Sequence, residues 1–309
     1  MADKIIIIVG YGRSGSTLLD MMLAMHSDIF GAGEMSTICR HVWPNDEYCA
    51  CHARVWSCHF WSGVMAEWLG TGIDAAAHAA LQGKVEPILS ARRIMGGAAL
   101  RRYHDETLAL FRITARHAGS PVILDSSKSP GRALALADAA VDLRVIHLVR
   151  DPRAVAWSMS KPMQIDSAKG IQKQIRARSP TRTALRWNFV NAGADALMQQ
   201  IPDGHAIRIR YEDLIARPAQ TLSRIGRITG LSLDETGARI EAGEHISASH
   251  QVAGSRIRMS GAMGLKADMQ WISQMPEVAQ RAVSRLCRGR MRRYGYAPAP
   301  VSALSSSGV

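Results

Sequence analysis

No apolar run in the 309 residues approaches the roughly 20 needed to cross a bilayer as a helix. No basic-then-apolar leader precedes the first expected strand either, so the chain is expected to be cytoplasmic. Acidic residues are in short supply, 26 against 38 lysines and arginines. The resulting net charge of +12, with an isoelectric point near 10, turns the search from cationic ligands to anionic ones: nucleic acid, an acidic membrane surface or a small polyanionic cofactor. Aromatic residues are scarce too, at 6%. None interleaves with the densest basic run, Arg285, Arg288, Arg290, Arg292 and Arg293, as a single-strand binder would need. That run reads as the solvated face of a terminal helix, and no nucleic-acid partner is expected.

Cysteines number five. Cys49, Cys51 and Cys58 cluster, with Cys39 close by and Cys287 far off. The paired Cys-x-x-Cys units that zinc prefers are missing, and Cys-x-Cys is a strained chelate spacing. A disulfide fits poorly with a reducing compartment. The expectation is therefore a local turn with buried thiols and no metal, beside Trp56, Phe60 and Trp61 packed on the core.

With 47% apolar and 21% charged residues, the composition is that of an ordinary globular chain. A single domain is expected over residues 1–297, followed by a disordered tail at 298–309. Its most informative stretch is Ile5-Ile6-Ile7-Ile8-Val9 followed by Gly10-Tyr11-Gly12-Arg13-Ser14-Gly15-Ser16-Thr17. Five branched apolar residues in a row predict a central strand of a parallel sheet, buried on both faces. The glycines at 10, 12 and 15 allow positive φ and close backbone approach, and the helix predicted from Thr17 to His26 points its free N–H groups back into the turn. That geometry binds anions.

The turn lacks the Gly-Lys-Ser/Thr ending of a nucleoside-triphosphate loop. Its one cation is Arg13, which offers a fixed fork of donors and is a poor proton donor. Such an arrangement suits a leaving group that departs already anionic. On these residues alone, a modified phosphate loop and a tight strand-to-helix turn both stay open.

Three more strand ends carry polar turns. Pro121–Asp125 predicts a second strand leading through Ser126-Ser127-Lys128-Ser129 to a helix near Gly131. Arg144–Val149 predicts a third, ending in Arg150-Asp151-Pro152-Arg153, and Ser158 lies two turns into the helix that follows. A fourth, His205–Arg210, ends in Tyr211-Glu212-Asp213-Leu214. Ligands of parallel sheets sit beyond such carboxyl ends. Asp151 and Arg153 read as structural partners. Ser179-Pro180 predicts an N-cap for a helix to about Gln200, with Trp187 and Phe189 as core residues. Val55 to Gly119 is helical in pattern, with Arg92, Arg93, Arg101 and Arg102 most simply solvated, the alternative being that they rim an acceptor site. Lys161 to Arg178 reads as a mobile segment able to fold over a substrate.

Arg13-Ser14-Gly15-Ser16-Thr17 resembles the 5′-phosphosulfate loop of the sulfotransferases, and Arg150 with Ser158 eight residues on resembles their 3′-phosphate motif. The resemblance extends over Ile5 to Trp271 and implies an α/β, P-loop-containing three-layer fold with a central, mainly parallel β-sheet flanked by helices. It implies 3′-phosphoadenosine 5′-phosphosulfate as the donor, with no metal needed. The implied binding residues are Arg13, Ser14, Gly15, Ser16, Thr17, Arg150, Ser158, Tyr211, Ser255 and Arg256. Glu34, which follows a His-x-Asp-aliphatic stretch as in the tyrosylprotein members, is implied as general base. Arg13 would stabilise the leaving phosphate, and Lys128 of Asp-Ser-Ser-Lys would assist on the sulfuryl oxygens. The basic residue that the family carries just before Trp271 is Gln270 here, with Lys266 or Arg256 expected to supply the charge. The acceptor stays open among small molecules, glycans, lipids and peptides. Two other classes also remain: a metal-dependent P-loop kinase or nucleotidase, for which Asp125 is the sole magnesium candidate, and a basic protein that binds acidic polymers.

Overall fold

The computed structural model describes residues 4–88, 97–166 and 174–297. Its centre is β1 (Lys4–Val9), whose five branched residues are fully buried. β2 (Ile29–Gly33), β3 (Val122–Lys128), β4 (Asp142–Val149) and β5 (Ala206–Arg210) join it in an all-parallel sheet of order β2-β3-β1-β4-β5. The sequence reading has four of these strands. It treats Ser27–Gly33 only as an extended return, because Gly31 and Gly33 mask the strand pattern. Both glycines are demanded by packing: a Cβ on Gly31 would lie 2.2 Å from Asp20 Oδ1, and one on Gly33 would lie 2.2 Å from the Val252 carbonyl.

The helices follow in chain order as α1 (Ser16–Leu23), α2 (His59–Gly70), α3 (Ala75–Val85), α4 (Ala98–Ala118), α5 (Pro130–Leu136), α6 (Pro152–Ser160), α7 (Pro180–Met198), α8 (Tyr211–Ala216), α9 (Pro218–Thr229), α10 (Asp234–Glu241), α11 (Gln270–Gln274) and α12 (Glu277–Arg293). Alternation along β1 divides them into layers. Ile5, Ile7 and Val9 face one core with Trp61, Trp68 and Phe111 of α2 and α4, whereas Ile6 and Ile8 face a second with Leu19 of α1 and Leu222 and Ile225 of α9. A third cluster, around Trp187 and Cys287, joins α6, α7 and α12. Three helices that begin with proline are capped by the side chain just before it: Ser129 accepts from Arg132 N, Asp151 from Arg153 N and Ser179 from Arg182 N.

Several expectations need correction. α1 ends at Leu23 and not at His26. Phe189 is 60% exposed, whereas its neighbour Trp187 is fully buried; two residues apart on a helix, they face different sides. Trp56 is 55% exposed, while Phe60 and Trp61 are buried. Arg102 is exposed as expected, and pairs with Glu106 on the same helix. Arg92, Arg93, the 298–309 tail and part of the Lys161–Arg178 segment lie outside the described residues. Among the described residues, no helix is long and apolar enough to cross a membrane.

Candidate active site

The turn after β1 is tighter than its glycines alone suggest. Gly10 has φ 139°, and a Cβ there would meet the Leu148 carbonyl at 2.3 Å. Its N–H donates to the Lys128 carbonyl at 3.2 Å, which ties the ends of β1 and β3 together. The next left-handed residue is Arg13, at φ 66°, and not Gly12, whose bare Cα instead makes room for the Met159 side chain. A non-glycine residue in this conformation is held there by its surroundings, as residues at binding turns often are. Gly15 (φ 94°) then opens α1 with no side-chain cap, leaving the first helical N–H groups free. Tyr211, the first residue of α8, covers Gly15 so closely that a Cβ would sit 2.5 Å from its ring.

Arg150, at the end of β4, reaches the same turn. Its Nη1 donates to the Arg13 carbonyl at 3.2 Å, and its guanidinium lies 4.3 Å above the Tyr211 ring. Nη2 donates to the Asp268 carboxylate at 3.1 Å, while Nε, like Ser14 Oγ, is buried without a partner among the described residues. Arg13 senses Arg256 and Arg178 nearby. Burial first, then repulsion from these cations, lowers its affinity for the proton, and Glu34 offsets part of this. Four arginines, Arg13, Arg150, Arg178 and Arg256, against the carboxylates of Glu34 and Asp268 make a local excess of positive charge in a part-buried place, which is a site for an anion. Ser158 is half-buried on α6, one residue before the Met159 that touches Gly12.

Glu34 stands at the end of β2, where its N–H donates to the Val252 carbonyl at 3.0 Å and its carboxylate pairs with Lys128 Nζ. Lys128 is itself left-handed, at φ 65°. The loop from His250 packs directly on this pair. A Cβ on Gly254 would lie 3.0 Å from Thr17 Oγ1 and 3.1 Å from Glu34 Oε1, and Ser255 N donates to Thr17 Oγ1 at 3.1 Å. Beside Lys128 opens a cleft of about 290 Å³, lined among others by Gly12, Ser127, Pro87 and Phe189. The sequence-derived site residues Arg13, Ser14, Gly15, Ser16, Thr17, Glu34, Lys128, Arg150, Tyr211, Ser255 and Arg256 thus come from six separate stretches to one end of the sheet.

Asp125 takes a structural part. It is fully buried, accepts from Arg132 Nε at 2.8 Å and Ser127 N at 2.9 Å, and sits in a network with Glu86 and Tyr103. Asp151 and Arg153 pair at 2.6 Å, and Arg153 lies 4.8 Å from the Trp271 ring. Gln270 is met by Lys161 at 3.3 Å, a cation the sequence reading did not consider there. Asp20, Arg178 and Asp268 are also site-forming residues that it missed. Asp20 is fully buried on α1, takes hydrogen bonds from Gly33 N at 3.2 Å and Gln251 Nε2 at 2.6 Å, and is pushed up to about 7, chiefly by burial. The unbroken apolar stretch around it hints at this, because an acid at a core position of an amphipathic helix must be paired or neutral.

Comparison with known proteins agrees with this architecture. A sulfotransferase domain from the curacin biosynthetic pathway superposes with a TM-score of 0.54 at 17% identity, covering 96% of this chain and 99% of that one. The sulfotransferase domain of the Synechococcus PCC 7002 olefin synthase gives 0.52 at 20% identity, covering 95% and 94%. These likenesses are of fold. In sequence, the chain is 29% identical over 176 residues to human carbohydrate sulfotransferase 6, which is 53% of this chain and 44% of that protein. It is 33% identical over 135 residues to mouse carbohydrate sulfotransferase 2, which is 31% of this chain and 24% of that protein. The chain therefore spans less than half the length of these curated relatives. Residues 6–235, from β1 through the first residues of α10, match the Sulfotransferase family, and the chain belongs to that family.

Proposed function

We propose that this chain transfers a sulfuryl group from 3′-phosphoadenosine 5′-phosphosulfate to a hydroxyl of a carbohydrate. The observation that carries the reading is the meeting of the Arg13 turn with Arg150 across β1 and β4, joined by a 3.2 Å hydrogen bond over Tyr211. A nucleotide phosphorylated at both 5′ and 3′ positions needs cations at two separated points, and these two strand ends supply them. The unpartnered Arg150 Nε and Ser14 Oγ are donors fit for phosphate oxygens.

The donor, when bound, supplies a sulfuryl group whose departure leaves charge on the 5′-phosphate. Arg13, Ser14, Ser16, Thr17 and the free N–H groups at the start of α1 hold that phosphate and stabilise the charge. Arg150 and Ser158 hold the 3′-phosphate, with Ser255 and Arg256 closing from the loop and Tyr211 forming the floor beneath Arg150. Glu34 takes the proton from the acceptor hydroxyl, and Lys128, which fixes its carboxylate, offers its ammonium to the sulfuryl oxygens. A carbohydrate acceptor is supported by the names of the relatives, and the cleft of about 290 Å³ beside Lys128 is its approach.

Locking of Asp125 into the Arg132 pair disfavours the kinase reading, since a magnesium ligand would have to leave that pair. Calorimetric titration with 3′-phosphoadenosine 5′-phosphate and with ATP, alongside transfer of labelled sulfate to carbohydrate pools, tests the proposal. Preference for ATP overturns it. Affinity for heparin or duplex DNA that survives Arg13→Ala and Arg150→Ala together, without any sulfuryl transfer, would establish a polyanion-binding protein instead.

A further inference from the structure

Two stretches some 190 residues apart in sequence converge beside Glu34. The sulfurs of Cys49, Cys51 and Cys58 and Nδ1 of His250 all lie within 4.8 Å of one another. Cys51 and Cys58 Sγ are 3.6 Å apart, and His250 Nδ1 is 3.6 Å from Cys49 Sγ and 3.4 Å from Cys58 Sγ. Around a tetrahedral zinc ion, with bonds of about 2.3 Å to sulfur and about 2.0 Å to nitrogen, neighbouring sulfurs stand about 3.8 Å apart and a sulfur and a nitrogen about 3.5 Å. These three spacings match one sulfur–sulfur edge and two sulfur–nitrogen edges of that polyhedron. They do not match a disulfide, which needs about 2.05 Å, and all five cysteines are free.

The surroundings are built to hold ligands. Just past Cys51, His52 takes the left-handed conformation at φ 68°, and the chain turns so that Cys49 N donates to the Ala53 carbonyl at 2.9 Å. Backbone N–H groups of Cys51, Ala53 and Trp61 hydrogen-bond to the sulfurs of Cys49, Cys51 and Cys58, the outer contacts that orient thiolates on a metal. The His250 ring is stacked on Phe60 at 5.1 Å and met edge-on by His59 at 4.7 Å, while its carbonyl accepts from Trp61 Nε1 at 2.6 Å. Its Nδ1 is thereby aimed at the sulfurs. Cys49 and Cys58 are fully buried.

We propose that Cys49, Cys51, Cys58 and His250 bind one structural zinc ion, against the sequence-based expectation of metal-free thiols. Three sulfurs and one imidazole in a closed tetrahedron are a zinc donor set, and no position is left open for catalysis. The ion ties the 49–58 turn to the root of the loop that packs on the active site. Two residues past His250, Val252 bridges to both Cys49 and Gly33, and its carbonyl holds Glu34 N.

Elemental analysis of the full, untagged chain after growth in zinc-supplemented medium should find one zinc per chain. Titration of the wild type with a mercurial should release that zinc into a colorimetric chelator as three thiols react. His250→Ala should lose most of the metal, and Cys287→Ser, distant from the cluster, should keep it. Stripping should lower the melting temperature of the wild type, with zinc alone restoring it. Should His250→Ala fail to fold, the mercurial release and the stripping experiment still decide, since both use the wild type. A folded wild type with far less than one equivalent of metal, a Cys51–Cys58 disulfide detected by mass, or iron with inorganic sulfide would each overturn the proposal.

Discussion

The role given to Arg150 can be isolated by changing protein and ligand together. Arg150 is 6% exposed, its guanidinium is fixed by the Arg13 carbonyl, by Asp268 and by the Tyr211 ring, and its Nε has no partner. Little rotamer entropy remains to be lost when a phosphate arrives, so a charge-assisted bond there keeps most of its worth, about 1.5–3 kcal/mol. Arg150→Ala should therefore raise the Kd for 3′-phosphoadenosine 5′-phosphate about 10- to 150-fold. It should leave the Kd for adenosine 5′-phosphate, which has no 3′ group, within about twofold. The Asp268 carboxylate already occupies Nη2, and its side chain is 47% exposed, so the pair is worth at most about 1 kcal/mol. Removing it by Asp268→Asn should tighten 3′-phosphoadenosine 5′-phosphate up to about fivefold, again without effect on the ligand lacking the 3′-phosphate. Isothermal titration of the two ligands against the three proteins makes the comparison. Equal losses for both ligands in Arg150→Ala would mean that the arginine only braces the turn, and the assignment of the 3′-phosphate to this strand end would fail.

Glu34→Gln keeps an oxygen to accept from Lys128 but cannot take up a proton, so turnover should drop about 10²- to 10⁴-fold with cofactor affinity unchanged. Wild-type turnover in that variant would remove Glu34 from its role. Asp20 supplies a pH test of stability. The folded chain holds this carboxyl as the acid up to about pH 7, while the unfolded chain releases the proton near pH 4, so stability falls as pH rises through that window, by about 4 kcal/mol. Asp20→Asn removes the effect, and its amide can meet Gln251 Oε1, which has no partner. In urea titrations the variant should gain on the wild type between pH 5 and pH 8, and a stability difference independent of pH would contradict a neutral Asp20.

How much was legible in the sequence depended on how local each cause is. Ile5–Val9, the turn after it and the proline-capped helices announce themselves because strand burial, backbone conformation and capping act over a few neighbouring residues. Arg13, Arg150 and Tyr211 were legible as strand-end residues because a parallel sheet brings its carboxyl ends to one side whatever the loops do. β2 escaped because its glycines answer to Asp20 and Val252, partners that no local pattern reveals. Phe189 was misplaced because alternation of faces along α7 depends on where α12 and the cleft lie.

The sequence by itself determined the central strand, the anion-binding turn and the kinds of residue that ring it, since these follow from side-chain shape and charge along a short piece of chain. Only the tertiary structure decided that Lys128 holds Glu34, that Asp268 meets Arg150, that Asp125 is locked by Arg132, and that His250 completes a cluster with three cysteines. Apart from Asp125 and Arg132, which one strand-to-helix turn joins, each of those is a pairing between residues brought within 4 Å by the packing of whole layers, and such distances are a property of the assembled sheet and helices and not of any one segment.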